Sequence, residues 1–589
     1  MKLTPEQMDA SRCEENLMLT ACPGSGKTRV IISKLSRVVE EVRDTPRSVA
    51  CITYTNTAVQ EIERRLRHHI QPGDDAYYDI CTIHSFCLNH IFRPFGHILG
   101  YKDGFKVLTQ DSEDFQKITE RVYAKHSRPP PSFGELDEFV NLRVSIDGEP
   151  IIAPGAGMTV EMAKDYWRRL REGGFVDFAN ILYFSYRLLN ERSEILDYIS
   201  AKFAWILVDE FQDTTDIQVE MLSLIADAGR TKFLLVGDPF QSIYGFAGAR
   251  PDLAAVFAAR INARTDMTLS GNFRCSTPIV DQANLLFART PPMQAVGPTR
   301  SIKTAPVWRA SRTVFTVITD EFLPAIEALG IPVGEAAILA PWWTTLFPLG
   351  RRLREYGVAV VGPGARPYRR ARVFAPLAEE VCGYLMEPNP ESLAGIERSL
   401  FLTILDATGR AHFDIYSYEG RIVLFELLRI ARDLQEECMG AIDWLERAAP
   451  AFSDVLVDAQ YFTPGERDIF SMAVEDMKSD IRRNMRSEDP ANLTIEDLGV
   501  YASPEAALKL SSLHHAKGRE FRAVAMIDMT EGRIPHFSSR LQSEFDEAKR
   551  LFYVGVTRAE EFLFYVTDNS DSRNGPTRFL RKSTGVGMV

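Results

Sequence analysis

The chain has 589 residues, enough for roughly three to four domains with separate buried cores. Its 45% hydrophobic and 25% charged residues are typical of a globular protein. The net charge of −12 argues against a uniformly basic nucleic-acid coat but allows a local basic groove. No apolar run reaches the ~18 residues of a membrane span, and the first ten residues, MKLTPEQMDA, lack the apolar core of a signal peptide.

The eight cysteines are scattered along the chain and form no C-x-x-C pair. This pattern favours buried thiols in a reducing cytosol over disulfides, a zinc site or an iron–sulfur cluster. We therefore expect a cytoplasmic protein that has no membrane partner.

The first predicted elements are a buried strand over residues 16–21 and an amphipathic helix over 27–42, joined by a glycine-rich loop. Bare backbone N–H groups in such a loop can approach phosphate oxygens, and the helix adds the positive end of its dipole. Lys27 is expected to reach the β- and γ-phosphates, and the Thr28 hydroxyl to ligate Mg²⁺. The alternative is a chance glycine-rich turn, because Ala21 stands where the strict pattern has glycine. The expected nucleotide-binding residues of this segment are Ala21, Cys22, Pro23, Gly24, Ser25, Gly26, Lys27, Thr28 and Arg29.

A later strand, in AWILVDEFQDT at 204–214, ends in the acidic pair Asp209 and Glu210. The carboxyl ends of strands are where ligands bind in an open α/β sheet. Asp209 is expected to hold Mg²⁺, and Glu210 to accept a proton from the attacking water. Such a pair alone is more often a helix N-cap, but the phosphate loop favours the catalytic interpretation.

The next strand and turn lie in KFLLVGDPFQSIYGFAGA at 232–249. Its polar turn carries Gln241, an amide able to sense a γ-phosphate. The aromatics Tyr244 and Phe246 follow, and exposed rings after a polar turn suit stacking on unpaired bases, worth ~1–3 kcal/mol per base. The alternative is that both rings are core residues, which is the commoner fate of phenylalanine.

In their order along the chain, these blocks resemble those of the superfamily 1 DNA helicases of the UvrD/PcrA/Rep family. The further segments that resemble the family's motifs are LTPEQMDA (3–10), ITYTNTAVQEIERRL (52–66), CTIHSFC (81–87), GFVDFANIL (174–182), LSGNFRC (269–275), SSLHHAKGREF (511–521) and EAKRLFYVGVTRAEEFLFY (547–565).

The resemblance implies ATP as the nucleotide, together with Mg²⁺. It places Gln7 at the amide position of the adenine-reading segment, Phe273 in a stack on adenine, Glu520 at the ribose and Gly518 near the γ-phosphate. It also implies single-stranded or tailed duplex DNA as the partner, and therefore association with the nucleoid when the protein is bound to DNA. The DNA contacts it implies are Tyr54, Asn56, His84, Phe86, Tyr244, Phe246 and His514.

The resemblance further implies that Arg274 and Arg558 are arginine fingers, which neutralise charge on the γ-phosphate. The alternative for each is an ordinary surface ion pair. Replacing either finger is expected to collapse turnover while leaving thermal stability nearly unchanged. Since the phosphate-binding parts come from both halves of the chain, ATP binding and hydrolysis could close and open a cleft between two domains.

The expected fold class is α/β, with two RecA-like P-loop domains built on parallel sheets, each carrying a mainly helical insertion. The expected domains are 1–87 with 200–268 for the first RecA-like domain, 88–199 for its insertion, 269–377 with 505–589 for the second RecA-like domain, and 378–504 for the second insertion.

Two features depart from the family pattern. Ala247 stands where the family has an arginine after its Ser-Ile-Tyr-Gly-Trp, so coupling between ATP turnover and movement is in question. The insertions look short, and the chain ends soon after Arg558, so we expect neither a C-terminal extension nor a fused nuclease. In this the chain is similar to the helicase-like subunit of Gabija-type phage-defence systems, which works beside a separate nuclease.

The leading hypothesis is therefore an ATP-dependent DNA helicase or translocase in repair or phage defence, moving 3′-to-5′ as the resemblance implies. The alternative is a DNA-responsive ATPase that does not unwind DNA and that regulates a partner nuclease as an assembly subunit. Glu210 and the two arginines favour a working ATPase under both hypotheses. Ala247 and the short insertions keep the alternative open.

Overall fold

The computed structural model describes residues 2–102, 104–110, 112–153, 155–370, 373–410, 413–485, 493–502, 504–569 and 575–582. The chain forms two compact units. The first unit comprises Met1–Ser301 with Leu541–Tyr553, and the second comprises Ile302–Arg540 with Val554–Val589. In the ranges that the structure describes, no helix combines the length and the apolar character needed to cross a membrane.

Most strands are short, and those of the two large sheets are largely buried. In chain order they are β1 (Leu17–Ala21), β2 (Ser48–Thr53), β3 (Tyr78–Thr82), β4 (Lys106–Val107), β5 (Arg143–Val144), β6 (Pro150–Ile151), β7 (Phe175–Val176), β8 (Phe203–Val208), β9 (Lys232–Gly237), β10 (Thr268–Leu269), β11 (Gly271–Asn272), β12 (Gln294–Ala295), β13 (Val307–Ser311), β14 (Ala336–Ala340), β15 (Val360–Val361), β16 (Leu508–Ser512), β17 (Phe521–Met526) and β18 (Ala559–Asp568).

The helices connect the strands and build both insertions. In chain order they are α1 (Pro5–Arg12), α2 (Lys27–Val42), α3 (Asn56–Leu66), α4 (Ile83–Phe86), α5 (Arg93–Phe95), α6 (Glu113–Lys125), α7 (Phe133–Val140), α8 (Val160–Glu172), α9 (Phe178–Glu191), α10 (Ser193–Lys202), α11 (Asp216–Asp227), α12 (Asp252–Arg260), α13 (Thr277–Leu286), α14 (Val314–Val317), α15 (Leu323–Ala328), α16 (Trp343–Glu355), α17 (Ala375–Met386), α18 (Pro390–Thr408), α19 (Tyr418–Glu437), α20 (Ala441–Asp458), α21 (Ile469–Asn484), α22 (Ile495–Ala502), α23 (Gln542–Val556) and α24 (Arg578–Lys582).

The first unit contains a six-stranded sheet in the order β10-β1-β9-β8-β2-β3, and all neighbouring strands run parallel. Side chains alternate between its two faces: in β8, Leu207 packs in one apolar cluster with α2, whereas Ile206 and Val208 pack in another with α9 and α11. Every position of β2 is buried, as expected for a parallel sheet covered on both faces.

This strand order determines where the first unit can hold a ligand. Strands β1, β9 and β8 are adjacent, and the chain leaves each of them at the same edge because they are parallel. The three connections that follow, 22–26, 209–215 and 238–251, therefore meet at the carboxyl edge of the sheet, where open α/β sheets bind ligands.

The second unit contains another six-stranded sheet, in the order β13-β18-β17-β14-β16-β15, again with all neighbours parallel. Helices α17 to α22 follow β15 and share one large apolar cluster with this sheet. The predicted fold class is confirmed. The compact units divide the chain differently from the predicted domains in one respect, because residues 269–301 belong to the first unit; the predicted domain boundaries themselves stay a prediction.

Candidate functional site

The loop between β1 and α2 has the backbone of a phosphate cradle. Gly24 and Gly26 have φ angles of 66° and 82°, in the left-handed region that glycine adopts without steric cost. Gly26 directly precedes α2, whose free N–H groups and dipole favour an anion. The hydroxyl oxygen of Ser25 is buried and has no hydrogen-bond partner among the described residues, so this hydroxyl is available to a phosphate.

The remaining loop residues differ in exposure. Ala21, Cys22 and Pro23 are buried, and Arg29 is exposed. Burial raises the pKa of the Cys22 thiol to about 12, so the side chain stays a neutral thiol near neutral pH. Cys22 therefore supplies backbone to the loop and no charge.

Gln7 supports the loop from α1. Its side chain is 1% exposed; its amide nitrogen donates to the carbonyl oxygen of Ser25 at 2.8 Å, and its amide oxygen accepts from the N–H of Thr4 at 3.1 Å. A Cβ at position 26 would lie 2.6 Å from the amide nitrogen of Gln7. In this structure both ends of the Gln7 amide are therefore hydrogen-bonded to the protein backbone. The predicted contact of Gln7 with adenine stays a prediction.

Phe273 and Arg274 lie directly against the same loop. The N–H of Phe273 donates to the carbonyl oxygen of Gly24 at 2.8 Å, and a Cβ at Gly24 would come within 2.8 Å of the Arg274 Cβ. The amide oxygen of Asn272 accepts from the N–H groups of Arg274 and Cys275 at 2.8 and 2.7 Å. The predicted adenine-stacking ring and one predicted finger therefore belong to the compact unit that carries the phosphate loop.

The acidic pair faces Lys27. The Lys27 Nζ donates to Glu210 Oε1 at 2.7 Å, and Asp209, 8% exposed, accepts the N–H of Glu210 at 2.9 Å. Burial alone would lower the pKa of Lys27, but the carboxylates of Glu210 and Asp209 outweigh it and the pKa is raised. Lys27 is therefore a fixed cation where a β/γ-phosphate is expected.

Replacing Glu210 by glutamine should keep ATP binding but slow hydrolysis by at least ~10²-fold, because an amide of the same shape cannot accept a proton from water. Phosphate release under saturating ATP measures the effect. Glu220→Gln, an equivalent change at a half-exposed glutamate of α11, is the matched control. Turnover like that of the wild type in Glu210→Gln would remove the assignment of Glu210 as general base.

The turn after β9 holds Gln241 through a buried ionic network. Asp238 is fully buried and accepts from the Gln241 side-chain amide at 2.8 Å and from Arg289 Nη2 at 2.7 Å. Arg289 also donates to the Tyr553 hydroxyl at 2.9 Å. Gln212 joins this turn to the acidic pair, since its side-chain oxygen accepts the N–H of Asp238 at 2.9 Å and its nitrogen donates to Glu210.

Sequence reasoning missed Asp238, Arg289 and Gln212 as supports of the site. The Asp-Pro step directly after a predicted strand marked Asp238 as the start of a turn. No local pattern marks Arg289, which lies far along the chain from its carboxylate partner.

Three predicted DNA-contacting rings of the first unit lie together. Tyr54, 39% exposed, stacks on Tyr244 with ring centroids 4.9 Å apart, and Phe246, 64% exposed, meets Tyr244 edge-on at 6.1 Å. Asn56, in the first turn of α3, is exposed. The alternative that Phe246 is a core ring is wrong.

His84 and Phe86 have different surroundings. His84 is half-buried and meets the exposed ring of Phe178 edge-on at 5.4 Å, and burial lowers its pKa to about 4, so it is neutral at pH 7. Phe86 is 1% exposed and packs on Phe203. The expectation of a DNA contact by Phe86 is wrong here, because residues two apart on a helix point to different faces and this ring points into the core.

The remaining predicted residues lie in the second unit. Gly518 has a φ angle of 83°, which accounts for glycine there, and Glu520 is exposed. His514 is half-buried, and burial lowers its pKa to about 4.

Arg558 is 2% exposed, and its guanidinium donates to the carbonyl oxygens of Val554 at 3.0 Å and Arg519 at 3.1 Å. The alternative of a surface ion pair is wrong for Arg558. Because the side chain is buried and hydrogen-bonded, the structure also revises the expectation that its loss would leave thermal stability nearly unchanged.

The first unit can accommodate a nucleoside triphosphate with Mg²⁺. The loop offers backbone donors, the Ser25 hydroxyl and the Lys27 ammonium, while Thr28 and Asp209 offer the oxygen ligands that Mg²⁺ prefers. In the part of the chain that the structure describes, no group of three or more His, Cys, Asp or Glu side chains could hold a metal ion by itself. Mg²⁺ is usually bound by one or two protein oxygens together with substrate phosphates and water, and Thr28 with Asp209 fits that pattern.

Comparison with known proteins agrees with this geometry. The family model of the UvrD/REP helicase N-terminal domain matches residues 3–261, and that of the UvrD-like helicase C-terminal domain matches residues 491–570. The ATP-dependent DNA helicase PcrA of Staphylococcus epidermidis is 24% identical over 649 residues, covering 98% of this chain and 86% of that protein. PcrA of Staphylococcus aureus is 24% identical over 647 residues, which cover 98% of this chain and 86% of that protein. YjcD of Bacillus subtilis is 23% identical over 608 residues, which cover 95% of this chain and 78% of that protein.

Proposed function

The chain belongs to the UvrD/PcrA-like superfamily 1 helicases, and we propose that it is an ATP-dependent DNA helicase that moves on single-stranded DNA. One observation carries the proposal. Gln241, which is joined through Asp238 and Gln212 to the acidic pair, shares a single turn with Tyr244 and the exposed ring of Phe246. A proposed γ-phosphate sensor and proposed base-stacking rings on one short turn would allow each ligand to affect the binding of the other.

In the proposed reaction Glu210 accepts the proton of the attacking water, while Lys27 offsets the charge that develops on the β- and γ-phosphates. Thr28 and Asp209 would hold Mg²⁺, which supplies further neutralisation of phosphate charge. Arg274, against the phosphate loop, and Arg558 are the proposed fingers. Phe273 is proposed to stack on adenine, with Gln7, Gly518 and Glu520 as further nucleotide contacts.

We propose that the two compact units carry the two RecA-like domains and that the protein moves 3′-to-5′, as the family resemblance implies. A role in DNA repair or phage defence, beside a separate nuclease subunit, is part of the proposal. Ala247 favours a second candidate, a DNA-responsive ATPase that does not unwind DNA and that regulates such a nuclease. Under both candidate functions, the proposed DNA contacts include Asn56, His84 and His514.

Tyr54→Ala and Phe246→Ala should each weaken single-strand binding by the ~1–3 kcal/mol that a base–ring stack contributes, with no change in ATP affinity when DNA is absent. Anisotropy titration of a labelled oligothymidylate measures the effect. Phe425→Ala is a matched control, since that ring is 65% exposed on α19, in the second insertion. Normal binding by both variants would show that the rings do not stack on bases.

Strand displacement on duplexes with a 3′ or a 5′ single-stranded tail tests the proposed function. We expect ATP-dependent displacement of the 3′-tailed duplex, none without ATP, and little from the 5′-tailed duplex. Displacement of the 5′-tailed duplex alone would contradict the proposed direction. DNA-stimulated ATP hydrolysis without displacement of either duplex would favour the second candidate.

A further inference from the structure

The short hairpin of β5 and β6 in the first insertion brings one arginine, Arg143, to the turn after β9. This turn carries Tyr244 and Phe246, and we call it the aromatic turn. Val144 of β5 is buried in the core cluster that also contains β2 and β8 residues. Because neighbouring side chains of a strand point to opposite sides, Arg143 points away from that cluster. Gly148, between the two strands, lies tightly against the Tyr183 hydroxyl of α9, so the hairpin has a fixed position on the first unit.

The guanidinium of Arg143 lies against Gly248, two residues after the exposed ring of Phe246. A Cβ at Gly248 would lie 3.1 Å from Arg143 Cζ and would overlap one of its terminal nitrogens. Gly248 also has a φ angle of 91°, in the region that disfavours other residues. The backbone conformation therefore favours glycine at this point, and a side chain there would have to displace the Arg143 guanidinium.

The aromatic turn is also held by a second contact, which is independent of Arg143. The carboxylate of Glu547, in α23, accepts hydrogen bonds from the backbone N–H groups of Gly245 and Phe246, and it lies 2.7 Å from where a Cβ at Gly245 would be. Glu547 belongs to the first compact unit. The turn that Arg143 contacts is thus also bound by α23.

The Arg143 guanidinium makes no hydrogen bond and no ion pair with any residue in the described ranges, although the residue is half-buried. Other arginines of the same unit are satisfied, such as Arg289 by Asp238 and Arg47 by backbone carbonyls. A guanidinium always carries its charge and presents five donors in a planar fork that matches phosphate oxygens. Its position against Gly248, on the turn that carries the proposed base-stacking rings, suits a group that binds the strand backbone.

We propose that Arg143 binds a phosphate of the single strand whose bases stack on Tyr244 and Phe246. The inference rests on the proposed function and adds a backbone contact supplied by the first insertion. Ala247, half-buried between Phe246 and Gly248, provides no cation at this turn. Arg143 supplies one from a different element of the chain.

Equilibrium binding of a fluorescent oligothymidylate at several salt concentrations tests the proposal. Each phosphate contact on a single strand contributes ~0.7 to the slope of log affinity against log salt concentration. Arg143→Ala and Arg143→Gln, the latter keeping much of the packing on Gly248, should each reduce the steepness by ~0.7. Arg143→Lys should keep the slope, and the double variant Arg143→Ala with Ala247→Arg should restore it.

The matched control is Arg230→Ala, which removes one arginine from the opposite edge of the sheet, just before β9, where its partner is Asp197. It should keep the slope of the wild type. If Arg143→Gln folds and shows the same slope as Arg230→Ala, the phosphate contact does not exist. If the unmodified protein neither binds the oligothymidylate nor responds to it with ATP hydrolysis, the proposed function fails first, so the two failures are distinguishable.

Discussion

Lys27→Ala is expected to abolish ATP hydrolysis, with and without DNA. In the structure the half-buried ammonium lies beside the acidic pair, 2.7 Å from Glu210, and the charge that develops on the β- and γ-phosphates would lose its nearest fixed cation. Removal of the cation also leaves two carboxylates facing the triphosphate, which weakens nucleotide binding. Phosphate release and binding of a fluorescent ATP analogue measure the two effects.

Lys117→Ala, which removes an exposed ammonium paired with Glu113 on α6, controls for the change in net charge and should hydrolyse ATP like the wild type. Unfolding curves of both variants should nearly coincide with that of the wild type. Appreciable turnover by a folded Lys27→Ala variant would mean that the loop between β1 and α2 does not hold the reacting phosphates.

Arg274→Ala is expected to lower kcat by ~10³–10⁵-fold, the typical cost of losing an arginine finger. The residue adjoins the phosphate loop through Gly24, and its charge would act mainly in the transition state, so ADP affinity should change little. Arg300→Ala, at an exposed arginine of the same unit, is the matched control. A lowered melting temperature with kcat intact would make Arg274 a structural residue.

Arg558→Ala should lower kcat as well, but it should also destabilise the protein. Its guanidinium is buried and donates to two backbone carbonyls of the second unit, and a hydrogen bond from a charged donor contributes ~1.5–3 kcal/mol. The double variant with Arg274→Ala should turn over little more slowly than the poorer single variant, since residues acting as a unit are not additive. Stability and kcat must therefore be measured on the same samples.

The local parts of the site could be predicted from the sequence because each is a strand end followed by a short polar turn. The acidic pair follows β8 directly, Lys27 and Gln241 follow β1 and β9 within a short loop, and parallel pairing brings those strand ends to one edge. The backbone conformation of the site could not be predicted from the sequence; an example is the left-handed φ angle of 51° at Glu210.

Contacts between distant segments could not be predicted in the same way. The motif around Phe86 gives its neighbours in sequence but not the helix face on which the ring lies, and the structure buries it against Phe203. Arg289 and Arg143 reach the turn after β9 from a loop and from an insertion hairpin. A single sequence contains no periodic pattern that would pair them with that turn.

Steady-state ATP hydrolysis measured against the concentration of single-stranded DNA tests the central claim most directly. If the chain is a DNA-dependent motor, hydrolysis should rise to a plateau with added oligothymidylate, and the DNA concentration giving half the rise should increase with salt. In Phe246→Ala the half-rise should shift to higher DNA concentration, while the rate without DNA stays that of the wild type. A hydrolysis rate that is the same at every DNA concentration would contradict the account.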